Sequence, residues 1–247
     1  MADTRGPAVP PALRKAMALL SDPPSVPDVS NGYLDLLGVS EGDATEQNTG
    51  AIQRFWASSF GSMFYDNTQA LARRTLEAWQ HRTDWLKIPA GGVALDVGCG
   101  PGSITASLAQ AVGADGLALG VDVSEPMLAR AVRIQAGPQA GFLRADAQRL
   151  PLRDNTVDGV ISIAALQLIP DLVAALGEMG RVLKPGGRLV LMVPTAGSAS
   201  RLWRLLPKAG AHVFGDDEIA DALEEHEFTS VRTKNFTTIQ WVRGKRG

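Results

Sequence analysis

Val93-Ala94-Leu95-Asp96-Val97-Gly98-Cys99-Gly100-Pro101-Gly102 is the stretch on which the fold of this chain turns. Val93, Leu95 and Val97 have strand character. Gly98, Gly100 and Gly102 let the backbone turn sharply and leave room for a ligand beside it. From Ser103 the pattern changes, and Ile104, Leu108, Ala111 and Val112 recur at helical spacing. A strand that passes through a glycine turn into a helix start is a nucleotide-binding geometry.

Outward from this stretch, strand and helix patterns alternate. Residues 116–123 read as a second strand, and 125–135 as a helix with Met127, Leu128, Ala131 and Val132 on one face. A third strand is expected at 140–145 and a fourth at 157–163. Residues 171–183 form a helical pattern through Leu172, Leu176, Met179 and Leu183. Pro185-Gly186-Gly187 is a tight turn before a strongly apolar fifth strand at 188–193. Repeated strand–helix units of this kind imply a mostly parallel sheet covered on both faces. Beyond it, 198–206 reads as a basic amphipathic helix containing Trp203, and 216–225 as a helix with an acidic first turn. Residues 228–234 and 236–242 are expected to close as an antiparallel hairpin. Upstream, 1–30 is proline-rich with a short helix at 12–20, and 32–38 reads as another short helix. Residues 49–86 are mostly helical, in one segment at 51–60 and a longer one from Asp66 or Asn67. The expected organisation is an N-terminal helical extension or lid, 1–88, on a ligand-binding domain, 89–247.

The chain of 247 residues is 45% hydrophobic, enough for a sizeable core, and its formal net charge of -2 gives no electrostatic reason to expect nucleic acid. Cys99 is the single cysteine, which excludes an internal disulfide and a multi-cysteine metal site, and no metal is expected. A reducing, cytoplasmic setting is the natural expectation. No run approaches the roughly 20 apolar residues of a transmembrane helix, while peripheral lipid contact stays open. Nothing in the sequence fixes the oligomeric state.

Spacing narrows the ligand. A dinucleotide-binding dehydrogenase has its third glycine three residues after the second, where Ser103 stands here. That pattern also has no use for an acid such as Asp96 inside the strand end, whereas a carboxylate there can receive hydrogen bonds from a ligand amine. Asp122 lies at the tip of the second strand, where an acid can hold ribose hydroxyls. Asp146, after the third strand, could accept from a purine amino group. Three carboxylates at successive strand tips would repel a pyrophosphate and suit a cationic sulfonium.

These residues resemble the class I S-adenosylmethionine-dependent methyltransferases. Leu95 to Gly102 matches the first motif of that family. Val121-Asp122-Val123-Ser124 with Met127-Leu128 looks like the second, and Ala145-Asp146-Ala147 with Leu150-Pro151 like the third. Arg181-Val182-Leu183-Lys184-Pro185-Gly186-Gly187 resembles the approach to the fifth strand. The resemblance covers roughly residues 93–194. It implies a Rossmann-like, doubly wound seven-stranded α/β sheet whose last two strands close it. It also implies S-adenosyl-L-methionine as cofactor, contacted by Tyr65, Asp96, Gly98, Cys99, Gly100, Gly102, Asp122, Val123, Met127, Asp146, Ala147 and Ala164. Cys99 is expected as a small side chain in the turn, not as a nucleophile.

Within the family the chain is similar to the small-molecule branch that includes the ubiquinone and menaquinone biosynthesis methyltransferases. Residues 165–171 resemble a stretch where relatives carry histidines. Here Gln167 and Leu168 stand instead, so no base carries over to those positions. Of His81, His212 and His226, His212 is the candidate general base, because it follows the fifth strand where relatives build substrate contacts. The function expected is methyl transfer to an oxygen or carbon of a small, apolar acceptor such as a lipid, quinone or polyketide. A methyltransferase acting on a sugar or amine, or a non-catalytic cofactor-binding scaffold, are the alternatives.

Overall fold

The computed structural model describes residues 9–37, 83–195, 212, 214–236 and 239–247. Five parallel strands form its centre: β2 (Val93–Val97), β3 (Leu117–Asp122), β4 (Ala140–Arg144), β5 (Val157–Ile163) and β6 (Leu183–Pro194). A short β1 (Leu34–Asp35) adds parallel to β4. At the other edge, β7 (Phe228–Phe236) and β8 (Ile239–Arg246) are antiparallel, and β8 pairs antiparallel with β6. The sheet order is β1-β4-β3-β2-β5-β6-β8-β7. The order reverses at β2, so the chain winds outward in both directions from the strand that carries the glycine turn.

Alternation along the strands makes two cores. Leu95, Val97, Leu119 and Val121 face one side with α4 (Leu172–Val182), through Leu176, Met179 and Val182. Ala94, Ala118, Ile161 and Val190 face the other with Leu108 and Val112 of α2 (Ser103–Val112). The remaining described α-helices are α1 (Pro11–Met17), α3 (Glu125–Gln135) and α5 (Glu218–Glu225). Strands with side chains buried on both faces read as near-continuous apolar runs, which is why the strand pattern was so regular in the sequence.

Two expectations are corrected. Residues 32–37 are not a helix: Leu34 and Asp35 pair with Leu143 and Arg144 as an edge strand. Non-local contacts decide this, since Leu34 is fully buried and Arg144 Nη1 bonds Asp35 Oδ2 at 2.9 Å. The sheet among the described residues accordingly has eight strands in place of seven. The turn at Pro185-Gly186-Gly187 lies inside β6 as assigned. Gly186 has φ +78°, and the pairing with β5 jumps from Val157↔Leu183 to Gly159↔Arg188. The helix expected at 51–60, the longer one up to residue 82, the Trp203 helix, and Tyr65 lie outside the described residues; the end of the longer one is described as a 3-10 turn at Asp84–Leu86.

The Arg181 side chain ties the end of α4 to the segment between β4 and β5. Arg181 donates to Glu178 Oε1 and Oε2 at 2.7 and 2.8 Å, to Asp154 Oδ1 at 2.7 Å, and to the Leu150 and Leu152 carbonyls at 2.9 and 2.8 Å. Arg246 of β8 reaches the Arg181 and Leu183 carbonyls from the other side. Arg181→Met takes a donor from two carboxylates and two carbonyls, and should cost about 2–4 kcal/mol. A urea titration checks this: the midpoint should fall with an unchanged slope, and an unchanged midpoint would remove Arg181 from this role.

Candidate active site

The glycine turn folds back onto the end of β3. The Gly98 and Cys99 N–H groups both donate to the Val121 carbonyl, at 2.8 and 3.0 Å. Gly98 has φ +72°, and a Cβ placed there would lie 2.2 Å from the Ala165 Cβ, so a side chain is excluded on both counts. Gly100, at φ +50°, has nothing within 4 Å of where a Cβ would be. The turn is therefore packed at its start and open at its middle. Gly102 is the N-cap of α2 and has no side chain to cap it, which leaves the first-turn N–H groups facing the turn.

Asp122, at the tip of β3, clamps this turn. Its Oδ2 accepts the Gly100 N–H at 2.8 Å, and its Oδ1 accepts the Ser124 N–H at 2.9 Å, just before α3. A carboxylate has about four acceptor positions. Two are used here, and ribose hydroxyls can take the others. Asp96 lies beneath the turn and is 1% exposed, with its Oδ2 accepting the Thr105 hydroxyl at 2.7 Å. Burial pushes its carboxyl up to about 7, the Thr105 bond opposes this, and the charge of Asp122 adds to it. Asp122 is also raised by burial, against the pull of its backbone N–H donors. Neither acid has an ion-pair partner among the described residues. Such a pair, beside open space at Gly100, fits a ligand that brings positive charge and a sugar. The Cys99 thiol is buried, and burial with the two neighbouring acids raises it well above the ordinary thiol range. It is thus a packing residue and a poor nucleophile.

The other expected positions among the described residues lie at the ends of β3, β4 and β5 and at the start of α3. Asp146 follows β4, and its carboxylate accepts the N–H of Gln148 at 2.9 Å and the Gln148 Nε2 at 3.0 and 3.1 Å. Gln148 Oε1 in turn accepts the Asp171 N–H at 2.9 Å, so Asp146 is tied to the start of α4. The Val123 carbonyl accepts from Arg144 at 3.4 Å. Met127, in the first turns of α3, and Ala147 are half-buried. Ala164 holds φ +53° at the end of β5, an uncommon conformation for a residue with a Cβ. Gln167 Nε2 donates to the Ala164 carbonyl at 2.6 Å, and the Gln167 carbonyl accepts the His212 N–H at 2.9 Å. His212 is therefore brought to the carboxyl ends of β5 and β6.

Sequence reasoning missed Thr105, Gln148 and Glu218. Thr105 sits nine residues after Asp96 and would have been found by asking which first-turn side chain of α2 faces the strand it follows. Gln148 stands only two residues after Asp146, and asking which neighbour could satisfy that carboxylate would have found it; Glu218 had no such signal, because its bond to His212 needs the fold that brings α5 beside that residue.

The family model for the methyltransferase domain matches residues 95–191. The demethylmenaquinone methyltransferase of Staphylococcus epidermidis is 35% identical over 173 residues, which are 68% of this chain and 71% of that protein. Among solved structures, an S-adenosylmethionine-dependent methyltransferase of Thermotoga maritima, described as a possible histamine N-methyltransferase, superposes with a TM-score of 0.61. Its identity is 20%, over 81% of this chain and all of that one. The Haemonchus contortus phosphoethanolamine N-methyltransferase 2, solved with S-adenosylhomocysteine, superposes with a TM-score of 0.58 at 16% identity, over 82% of this chain and 58% of that one. At these identities the two structures bear on the fold alone.

The position of Asp96 generates a pH dependence. Its carboxyl titrates at about 7 when folded, so its charge is lost as pH falls through 7. A cationic amine binds the charged form. The affinity for S-adenosylhomocysteine should fall between pH 8 and pH 6, by up to about tenfold per unit below 7. Titration calorimetry checks this, and Asp96→Asn should bind more weakly with a flattened profile. The same raised value acts oppositely on the free protein. The unfolded acid ionises near 4. Between there and 7 the folded state holds the extra proton, so this residue's contribution to stability declines as pH rises across that window.

Proposed function

The chain belongs to the S-adenosylmethionine-dependent methyltransferase family, and from that membership we propose that it methylates a small apolar acceptor of the demethylmenaquinone class, on a ring carbon or oxygen. The observation that carries the acceptor class is the extent of the likeness to the staphylococcal demethylmenaquinone methyltransferase, which spans more than two thirds of that protein. The sequence at 55–65, with Phe55, Trp56, Phe60, Phe64 and Tyr65, supplies apolar and aromatic side chains suited to such a ring.

When bound, S-adenosylmethionine supplies an electrophilic methyl group on a cationic sulfur. In this reading Asp96 answers the amino end of the cofactor from beneath the turn, and Gly98, Cys99, Gly100 and Gly102 bring the backbone close to it. Asp122 holds the ribose, and Asp146 exchanges its bond to Gln148 for one to the adenine amino group. Val123, Met127, Ala147, Ala164 and Tyr65 complete the lining. The chain's main contribution to rate is alignment of the acceptor with the methyl group, which substitutes a held geometry for a rare encounter. His212 takes the proton where the acceptor is a hydroxyl. We take 1–88 as the flanking extension and 89–247 as the cofactor-binding domain, working in the cytoplasm on small molecules and not on nucleic acid. The net charge of -2 supports that choice, and no helix among the described residues is long and apolar enough to cross a membrane.

The test is turnover with methyl-labelled S-adenosylmethionine and a short-chain demethylmenaquinol kept reduced. Label is expected in the ring product. Asp122→Ala should weaken S-adenosylhomocysteine binding at least about tenfold, since charge-assisted hydrogen bonds to the sugar are lost. Transfer to a sugar or an amine with none to the quinol would overturn the acceptor class. Tight cofactor binding without transfer to any of them would favour a scaffold.

A further inference from the structure

We propose that Glu218 is the positioning residue of a proton-accepting dyad with His212, holding the imidazole by Nε2 so that Nδ1 is the nitrogen left to take the proton of the acceptor's hydroxyl. This rests on the methyl-transfer reading above and adds to it the residue that makes His212 competent.

Three contacts place His212. Its N–H is held by the Gln167 carbonyl at 2.9 Å, its ring meets Phe214 edge-on at 4.6 Å between centroids, and its Nε2 lies 2.7 Å from Glu218 Oε1. Phe214 is itself fixed, being 1% exposed and tied to the end of β6 by the Pro194 carbonyl and the Thr195 hydroxyl. Glu218 is fixed too. It opens α5, which is anchored through fully buried Ile219 and Leu223, and its Oε2 accepts the Gly215 N–H at 3.0 Å. Both partners of the bond are thus held by the frame, while the pair itself stays reachable, at 52% and 39% side-chain exposure.

That combination argues against a stabilising role. An ion pair so exposed contributes little to folding. Its chemistry is more specific. A neutral imidazole that donates Nε2–H to a carboxylate has its lone pair on Nδ1, and the carboxylate steadies the positive ring once that nitrogen gains a proton. Nearby, residues 165–168 supply no histidine, because Gln167 and Leu168 stand there. The Gln167 carbonyl instead holds the histidine that arrives from beyond β6.

In the step, the proton of the acceptor hydroxyl passes to His212 Nδ1. The electron pair this releases, on oxygen or through the ring on carbon, forms the bond to the methyl carbon. The carbon–sulfur bond breaks with its pair remaining on sulfur, which leaves S-adenosylhomocysteine. His212 returns its proton to water, and a methylated ring carbon loses its hydrogen to water.

Two measurements on the full chain test the dyad. In spectra of 15N-labelled imidazoles at neutral pH, His212, assigned by its loss in His212→Gln, should carry its hydrogen on Nε2. Glu218→Ala should shift that signal toward an unbonded tautomer mixture. A hydrogen on Nδ1, or a signal indifferent to Glu218→Ala, overturns the proposal. In turnover with the demethylmenaquinol, Glu218→Gln should lower kcat about 10- to 100-fold, with the KM for S-adenosylmethionine changed less than about twofold. The double variant with His212→Gln should be no slower than His212→Gln alone. An unchanged kcat, or losses that multiply, also overturn it. If the wild type does not methylate the quinol, the acceptor reading fails, and the imidazole spectra decide the dyad by themselves.

Discussion

The register between β2 and β3 sets Asp96 opposite Gly120, and the rest of the site follows from that pairing. A Cβ at Gly120 would fall 2.8 Å from the Thr105 hydroxyl, the Cys99 sulfur and the Phe142 ring alike. With no side chain there, the first turn of α2 comes down onto the strand and Thr105 reaches Asp96. The glycine turn, the acid beneath it and the aromatic ring behind it therefore share one space. A one-residue slip in a sheet moves every side chain to the other face, so the apolar alternation of both strands protects this register. The packing that holds the fold together is thus also what places a charge where burial works against it.

A buried carboxylate without a cation is costly, and the structure shows how far the cost is reduced. Thr105 gives Asp96 one hydrogen bond, and two backbone N–H groups bond Asp122. The remainder persists as a raised affinity for protons. In physical terms the two acids compete for positive charge, and a proton can stand in for the cation of a ligand. Complementarity to a positively charged cofactor is built from this deficit and needs no further basic or acidic side chain at the turn.

Much of this was legible in the sequence, and the part that was not shares one cause. Strands buried on both faces announce themselves as apolar runs, and Glu125–Gln135 and Val157–Ile163 fall where periodicity put them. The turn was legible because positive φ and close approach leave glycine as the only unstrained choice. Residues 32–38 misled because their pattern is short and ambiguous. Two residues became a strand only because the free edge of β4 offered Leu143 and Arg144 as partners. Thr105 and Glu218 look like ordinary polar residues until the chain is folded, when one meets Asp96 and the other His212. Chemistry carried by a backbone shape could be read from neighbours in sequence. Chemistry carried by side chains that only the fold brings together could not.

Cys99 gives the turn a built-in reporter. It is the only thiol in the chain, it lies between the two acids, and its sulfur is shut away from solvent with its ionisation suppressed. A thiol in that position reacts with an alkylating reagent only while the turn is open. The slow labelling of this single atom therefore clocks the opening of the ligand site, with no probe added and no residue changed.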